Sequence, residues 1–157
     1  MLNISLASEG IRLIEYAQCG LHPLLKLATA FGISFYVLTD GDEAGRKYSQ
    51  TVKNFLSFKG TKKHLTTLNC LDIEHFLYLN GFEDVFLKSA GIHGPLKKGT
   101  TIDKVIDIAI KRKTKPGLAL LMVEEMQKRG HEAIPRLFIS MFARIRNLAR
   151  EQAIFRE

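Results

Sequence analysis

The feature that narrows the fold most is the transition at residues 33–48, ISFYVLTDGDEAGRKY. ISFYVLT at 33–39 is β-rich and nearly all apolar, the pattern of a strand covered on both faces. Two aspartates, Asp40 and Asp42, leave its end, and the sequence from about Glu43 to Phe55 reads as a helix. Upstream, GIRLIEYAQ at 10–18 reads as a short strand closed by Cys19-Gly20. His22-Pro23 then opens a helix with Leu24, Leu25, Leu27, Ala28 and Phe31 as its apolar face, stopped by Gly32. Strand, helix, strand, helix in that order predicts a parallel α/β unit.

The rest of the chain divides at a loop. SFKGTKKH at 57–64 is a basic loop, HLTTLNCL at 64–71 a third strand, and HFLYLNG a short helix capped by Gly81. FEDVFLKSAG continues as helix. IHGPLKKGT, rich in Gly, Pro and Lys, is the best internal boundary. After it, apolar residues fall at helical spacing in three segments: Ile102 to Ile110, Pro116 to Gly130, and Ile134 to Leu148. The organisation is therefore an α/β part over residues 1–92 and an all-helical extension over 93–157.

Composition bounds the function classes. The formal net charge is +7, from 23 basic and 16 acidic residues. The excess lies in Lys59–Lys63, Lys97–Lys98, Lys104–Lys115 and Arg136–Arg156. It permits a polyanionic partner and is equally compatible with a solvated surface. Cys19 and Cys70 have no C-x-x-C pairing, which gives no support to a zinc site or a disulfide framework. The N-terminus lacks a signal pattern, and no apolar run approaches the ~20 residues of a membrane span. The expectation is a soluble, cytoplasmic protein.

Asp40 and Asp42 are the leading candidates for chemistry. In extended chain, alternate residues share a face. Two carboxylates ~4 Å apart repel by about 1 kcal/mol in water and about 4 kcal/mol at a protein surface. A hard divalent cation offsets that repulsion, and oxygen ligands suit Mg²⁺ or Mn²⁺. The competing reading is an Asp-Gly turn in which Asp42 caps the next helix. The strand before the pair and the helix after it favour the site. Asp72 and Glu74 form a second alternate pair at an apparent strand end, with Asp72 as a plain helix cap as the alternative. If the two strands are neighbours, four carboxylates share one edge, as in phosphoryl-transfer metal centres. Lys115, after the basic run KRKTK, has the charge to stabilise a reacting phosphate. A solvated lysine at a helix start is the commoner explanation. Arg136, Arg144, Arg146 and Arg150 suit a DNA backbone or the wet face of an amphipathic helix. GPLKKGTT at 94–101 imitates a phosphate-binding loop but has Thr100 where the gripping lysine must stand. The histidines show no metal-ligand spacing.

LIEYAQCGLHPLLKLA, VLTDGDEAGRKY, LDIEHFLY and KPGLAL, in this order, resemble the C-terminal Toprim region of OLD-family ATP-dependent endonucleases. The resemblance runs over nearly the whole chain. It implies a Toprim-like parallel sheet flanked by helices. It implies that Asp40 and Asp42 bind Mg²⁺ or Mn²⁺, that Asp72 and Glu74 complete the metal centre, and that Lys115 assists catalysis. The implied partner is DNA, with a homodimer as a further expectation. By the same resemblance, ATP belongs only to the ATPase domain that precedes Toprim in full-length members, a domain this chain is expected to lack.

The departure from the pattern is at the start. The family's first motif is a strand ending in glutamate-glycine, with a second glutamate one helical turn later. Ser8-Glu9-Gly10 imitates it, but the position four after Glu9 is Leu13, and residues 10–18 match the family's second strand. The expectation is a fragment or short reading frame lacking the first strand and helix. Its function is then a metal-dependent DNA endonuclease or nickase domain, weak or inactive as this chain. The alternative is a non-catalytic DNA-binding or subunit-interaction module. A phosphatase of the haloacid-dehalogenase kind also ends a strand in D-x-D. It normally places a hydroxyl or branched residue where Ala44 stands.

Overall fold

The computed structural model describes residues 5–17, 19–56 and 60–154. The described residues are mostly helical, with one small parallel sheet, and the chain divides into two compact units. The first comprises residues 1–67 with 137–157, the second residues 68–136.

In the first unit, α1 (Leu21–Ala30) precedes β1 (Val37–Thr39), and α2 (Glu43–Phe55) crosses over to the short helix α3 (Thr61–His64) and β2 (Leu65–Thr67). The strands pair in parallel, Val37 with Leu65, Leu38 with Thr66 and Thr39 with Thr67. The connection is the βαβ crossover expected from the order of elements. Leu21, Leu25, Val37, Val52 and Leu65 form the core, with Tyr16, Phe35, Tyr48, Phe55 and Leu56 packed against it. Three hydroxyls tie sheet to helix. Thr39 Oγ1 lies 2.7 Å from Ser49 Oγ and 3.0 Å from Thr67 Oγ1, and Ser49 Oγ lies 2.6 Å from Thr67 Oγ1. Each hydroxyl can donate once and accept twice, so the triangle satisfies buried oxygens without a charge.

All three expected strands differ from the structure, and the one expected over 33–39 is limited to Val37–Thr39. Residues 11–16 have no strand pairing, and Gln18 lies outside the described residues. Leu13 and Ile14, whose apolar character suggested a buried strand, are 81% and 64% exposed. Tyr16 instead fastens the segment by donating its hydroxyl to the Leu38 carbonyl at 3.2 Å. The strand expected over 64–71 is limited to Leu65–Thr67. Beyond it the chain turns into the cap of the following helix, with Cys70 Sγ 3.4 Å from the Asp72 carbonyl.

From Leu137 on, the last helix, α8 (Arg136–Ile154), belongs to the first unit. Arg146 donates two bonds to the Glu9 carboxylate, at 2.7 and 2.8 Å. Gln152 accepts from the Ser34 N–H and donates to the Gly32 carbonyl.

The second unit is helical among the described residues. It contains α4 (Ile73–Leu77), a wide turn over Tyr78–Phe82, α5 (Glu83–Ala90), α6 (Ile102–Lys113) and α7 (Lys115–Arg129). The loop from Gly91 to Thr101 lies within this unit. Its buried apolar residues include Phe82, Phe86, Val105, Ile106, Ala109 and Met122. Arg129 on α7 donates to the Gly81 carbonyl at 2.7 Å and to Asp84 at 2.5 Å, and its guanidinium covers the Phe82 ring. Tyr78 is buried and donates to Glu83 at 2.8 Å; burial and this carboxylate push its hydroxyl up to about 12.

Candidate functional site

Asp40 is the residue immediately after β1, and Asp42 is the cap of α2. Asp42 Oδ1 accepts the Gly45 N–H at 2.6 Å, satisfying one of the unpaired donors of the first turn. This is the helix-cap role that competed with the metal-site reading in the sequence, and it fixes one carboxylate oxygen. Gly45 is required for packing rather than for an unusual backbone angle. A Cβ there would stand 2.0 Å from the Asp40 carbonyl oxygen and 2.6 Å from its carbon. The start of α2 therefore lies directly against the end of β1. Arg46 closes the turn by donating to the Gly41 carbonyl at 2.7 Å.

A cavity of about 220 Å³ opens beside this turn, lined by Glu15, Tyr16, Asp40, Asp42, Gly45 and Tyr48 among others. Tyr16 and Tyr48 meet edge to face, with centroids 5.0 Å apart. Burial pushes the Tyr16 hydroxyl above its ordinary value, and the nearby charge of Asp40, Tyr48 and Asp42 adds to the rise. Hence the two aspartates and Tyr16 occupy a common electrostatic neighbourhood. Glu15, Tyr16 and Tyr48 were not singled out by sequence reasoning. The apolar–polar alternation around residue 15 carries no signal that the segment runs beside the D-x-D turn.

Asp72, Glu74 and Lys115 belong to the second unit. Asp72 caps α4, its Oδ1 accepting the His75 N–H at 2.8 Å. The same oxygen lies 2.6 Å from His75 Nδ1, while His75 Nε2 lies 2.9 Å from Asp103 Oδ1 on α6. The imidazole thus bridges two carboxylates. Burial alone lowers its affinity for a proton, but the bonds to Asp72 and Asp103 and their charge outweigh burial and raise it. For Asp72, burial raises the carboxyl, and the His75 backbone bond, the ring bond and nearby positive charge outweigh it. The net result is below the ordinary value. Glu74 is buried, and Lys115 Nζ stands 3.0 Å from its Oε1. The structure therefore brings Glu74 and Lys115 together and engages Asp72 with a histidine. The Asp72-x-x-His75 spacing was a visible signal for the latter. The approach of Asp103 was not visible.

The donor chemistry can be compared with the cation implied by the sequence. Asp40 and Asp42 offer hard oxygen atoms beside the cavity, and Mg²⁺ is commonly held by one or two carboxylates while keeping several waters. That pair fits. Asp72 and Glu74 already hold a histidine and a lysine. Among the described residues, no group of three or more His, Cys, Asp or Glu side chains is placed to hold a metal ion.

No protein-family model matches the chain, and no solved structure matches it. A curated relative, the uncharacterized protein YbjD of Escherichia coli (strain K12), is 45% identical over 148 residues. The match covers 93% of this chain and 26% of the relative, so the chain spans about a quarter of the relative's length. The similarity takes in both compact units. Among the described residues, no helix is long and apolar enough to cross a membrane.

Proposed function

We propose that this chain is a Toprim-like part of an OLD-family ATP-dependent endonuclease that hydrolyses DNA phosphodiesters with Mg²⁺ or Mn²⁺, with weak or no activity as this chain by itself. One observation carries the reading: the Asp40–Asp42 turn at the end of a parallel strand, packed on Gly45 and opening on a cavity. Ligand sites of open α/β sheets favour this position. Asp40 and Asp42 are the residues that would hold the cation. When bound, such an ion polarises a phosphate and lowers the pKa of water.

The protein's own contribution is orientation and charge. The Gly45 N–H fixes one Asp42 oxygen, and the turn between Thr39 and Glu43 sets the direction of both aspartates. In the second unit, Glu74 holds the Lys115 ammonium, a cation able to stabilise charge on a phosphate oxygen. The reading places the chain in the cytoplasm and gives it an ATPase domain as partner, with homodimerisation as a further expectation.

A second reading is a non-catalytic DNA-binding or subunit-interaction module. The engagement of Asp72 by His75 and of Glu74 by Lys115 favours it, because these carboxylates already have protein partners.

The deciding experiment is nicking of supercoiled plasmid by the purified chain with Mn²⁺ and separately Mg²⁺, beside Asp40→Asn. Nicking by the wild type alone supports the enzyme and eliminates the non-catalytic reading. No nicking by a folded wild type shows that this chain does not cut by itself, as a nuclease part without its chemistry or as the module. Equal nicking by both removes Asp40 from the mechanism.

A further inference from the structure

The charge of the second unit is concentrated in one segment. Residues 94–115 hold seven Lys or Arg against Asp103 and Asp107, whereas the remainder of residues 68–136 holds four basic and seven acidic residues. Two of the seven cations have internal tasks. Lys115 faces Glu74, and the Arg112 guanidinium lies against Gly91, where a Cβ would stand 1.9 Å from its Nη1. Lys97, Lys98, Lys104, Lys111 and Lys113 remain, and all five are exposed. Among the described residues, none of these five is in an ion pair.

Their placement follows from the Arg112–Gly91 contact. It sets the C-terminal end of α6 beside the C-terminal end of α5. The loop from Gly91 must then return along α6 to its cap, Thr101, a length of about 18 Å for twelve residues. Lys97 and Lys98 lie midway along that return. Lys104 and Lys111 share the exposed side of α6, roughly 10 Å apart along its axis, while Val105, Ile106 and Ala109 are buried.

Helix stabilisation accounts for only part of this pattern. Lysines in the last turn of α6 offset its dipole, but Lys104 sits in the first turn, where a cation is disfavoured. A membrane-binding helix needs an apolar face for lipid, and the main apolar residues of α6 are already committed to the core. We propose that Lys97, Lys98, Lys104 and Lys111 form a surface that follows the phosphate backbone of a nucleic acid; Lys113, about half a turn around α6 from Lys104, lies outside it.

This inference deepens the DNA reading above, and binding is measured without a divalent cation so that it fails separately from nicking. The probe is a fluorescently labelled DNA duplex, titrated with the full chain in EDTA at several salt concentrations. Each phosphate neutralised contributes about 0.9 to the slope of log affinity against log salt. The Lys97→Ala/Lys98→Ala/Lys111→Ala variant is expected to lower the slope by about 2.7. Lys97→Gln/Lys98→Gln, confined to the loop, is expected to lower it by about 1.8 and guards against a misfolded triple variant. Lys26→Ala/Lys53→Ala/Lys88→Ala removes equal charge elsewhere and is expected to leave the slope unchanged. Several results would overturn the proposal: no binding by wild type, an unchanged slope in the folded loop variant, or an equal loss in the control. Binding to phosphatidylserine vesicles but not to duplex would overturn it too.

Discussion

The ammonium of Lys115 stands 3.0 Å from the carboxylate of Glu74, the one in water and the other buried, with side chains 64% and 11% exposed. The asymmetry determines what each substitution does. Removing Lys115 leaves a desolvated carboxylate behind, whereas neutralising Glu74 leaves a lysine that water can solvate. Lys115→Met is expected to destabilise the second unit by about 1–2 kcal/mol, below the usual loss for a fully buried pair because Lys115 is screened. Glu74→Gln is expected to cost less. Urea unfolding of both variants checks the order, and the reverse order would show that Glu74 does not depend on Lys115.

The Asp72–His75–Asp103 cluster gives the second unit a pH dependence whose sign is fixed. The affinity of His75 for a proton is raised above the ordinary imidazole value of 6.5. Its contribution is therefore fully present below 6.5 and is lost as pH rises through the folded-state value. Asp72 is lowered below the ordinary 3.8, so its contribution is present above 3.8 and is lost as pH falls through the folded-state value. The cluster should stabilise most between these ordinary values. Urea midpoints near about pH 5.5 are expected to exceed those near about pH 8.5, and His75→Gln should flatten the difference. An identical pH profile in His75→Gln would remove the bridge as its cause.

Gly45 makes a prediction about the first unit. Any Cβ meets the Asp40 carbonyl at 2.0 Å, a contact with backbone that no rotamer can relieve. Gly45→Ala is expected to cost at least about 2 kcal/mol, even though alanine is the better helix former by about 1 kcal/mol. Thermal unfolding measures the balance. A stabilised Gly45→Ala would mean that α2 starts farther from β1 than described here.

These cases show what the sequence could disclose. The start of α2 was legible because Asp42, Glu43 and the apolar spacing beyond them are local signals for a cap and a buried face. The last three helices were legible for the same reason: Thr101 and Thr114 cap their starts, Pro116 lies in a first turn, and Gly130 ends one. Leu13 and Ile14 misled because apolar residues signal a strand only if neighbours cover them, and that depends on the rest of the fold. The occupied state of Asp72 was half legible. His75 lies three residues on, but Asp103 lies 28 residues beyond His75 and arrives only through packing of α6 on α4. The position of Glu15 on the cavity beside Asp40 is likewise a consequence of tertiary structure.

Thr114 supplies the last prediction. It is the one non-glycine residue with positive φ among the described residues, at φ 64° and ψ 159°, a region essentially reserved for glycine. Such a conformation costs about 1–3 kcal/mol and persists only where neighbouring structure enforces it. Here it joins α6 to α7 and immediately precedes Lys115. The side chain compensates in part, its Oγ1 accepting the Gly117 N–H at 3.2 Å. Thr114→Gly relieves the strain and loses the side-chain bond, a loss of only a few tenths of a kcal/mol or about that at a cap. Thr114→Ala keeps the strain and loses the bond, at about 1 kcal/mol. The glycine variant should therefore be more stable than the alanine variant by about 1 kcal/mol or more, even after the greater entropy of its unfolded chain. Chemical unfolding of the two variants decides it. Equal stability would show that the backbone at Thr114 relaxes to negative φ and that Lys115 is positioned without strain.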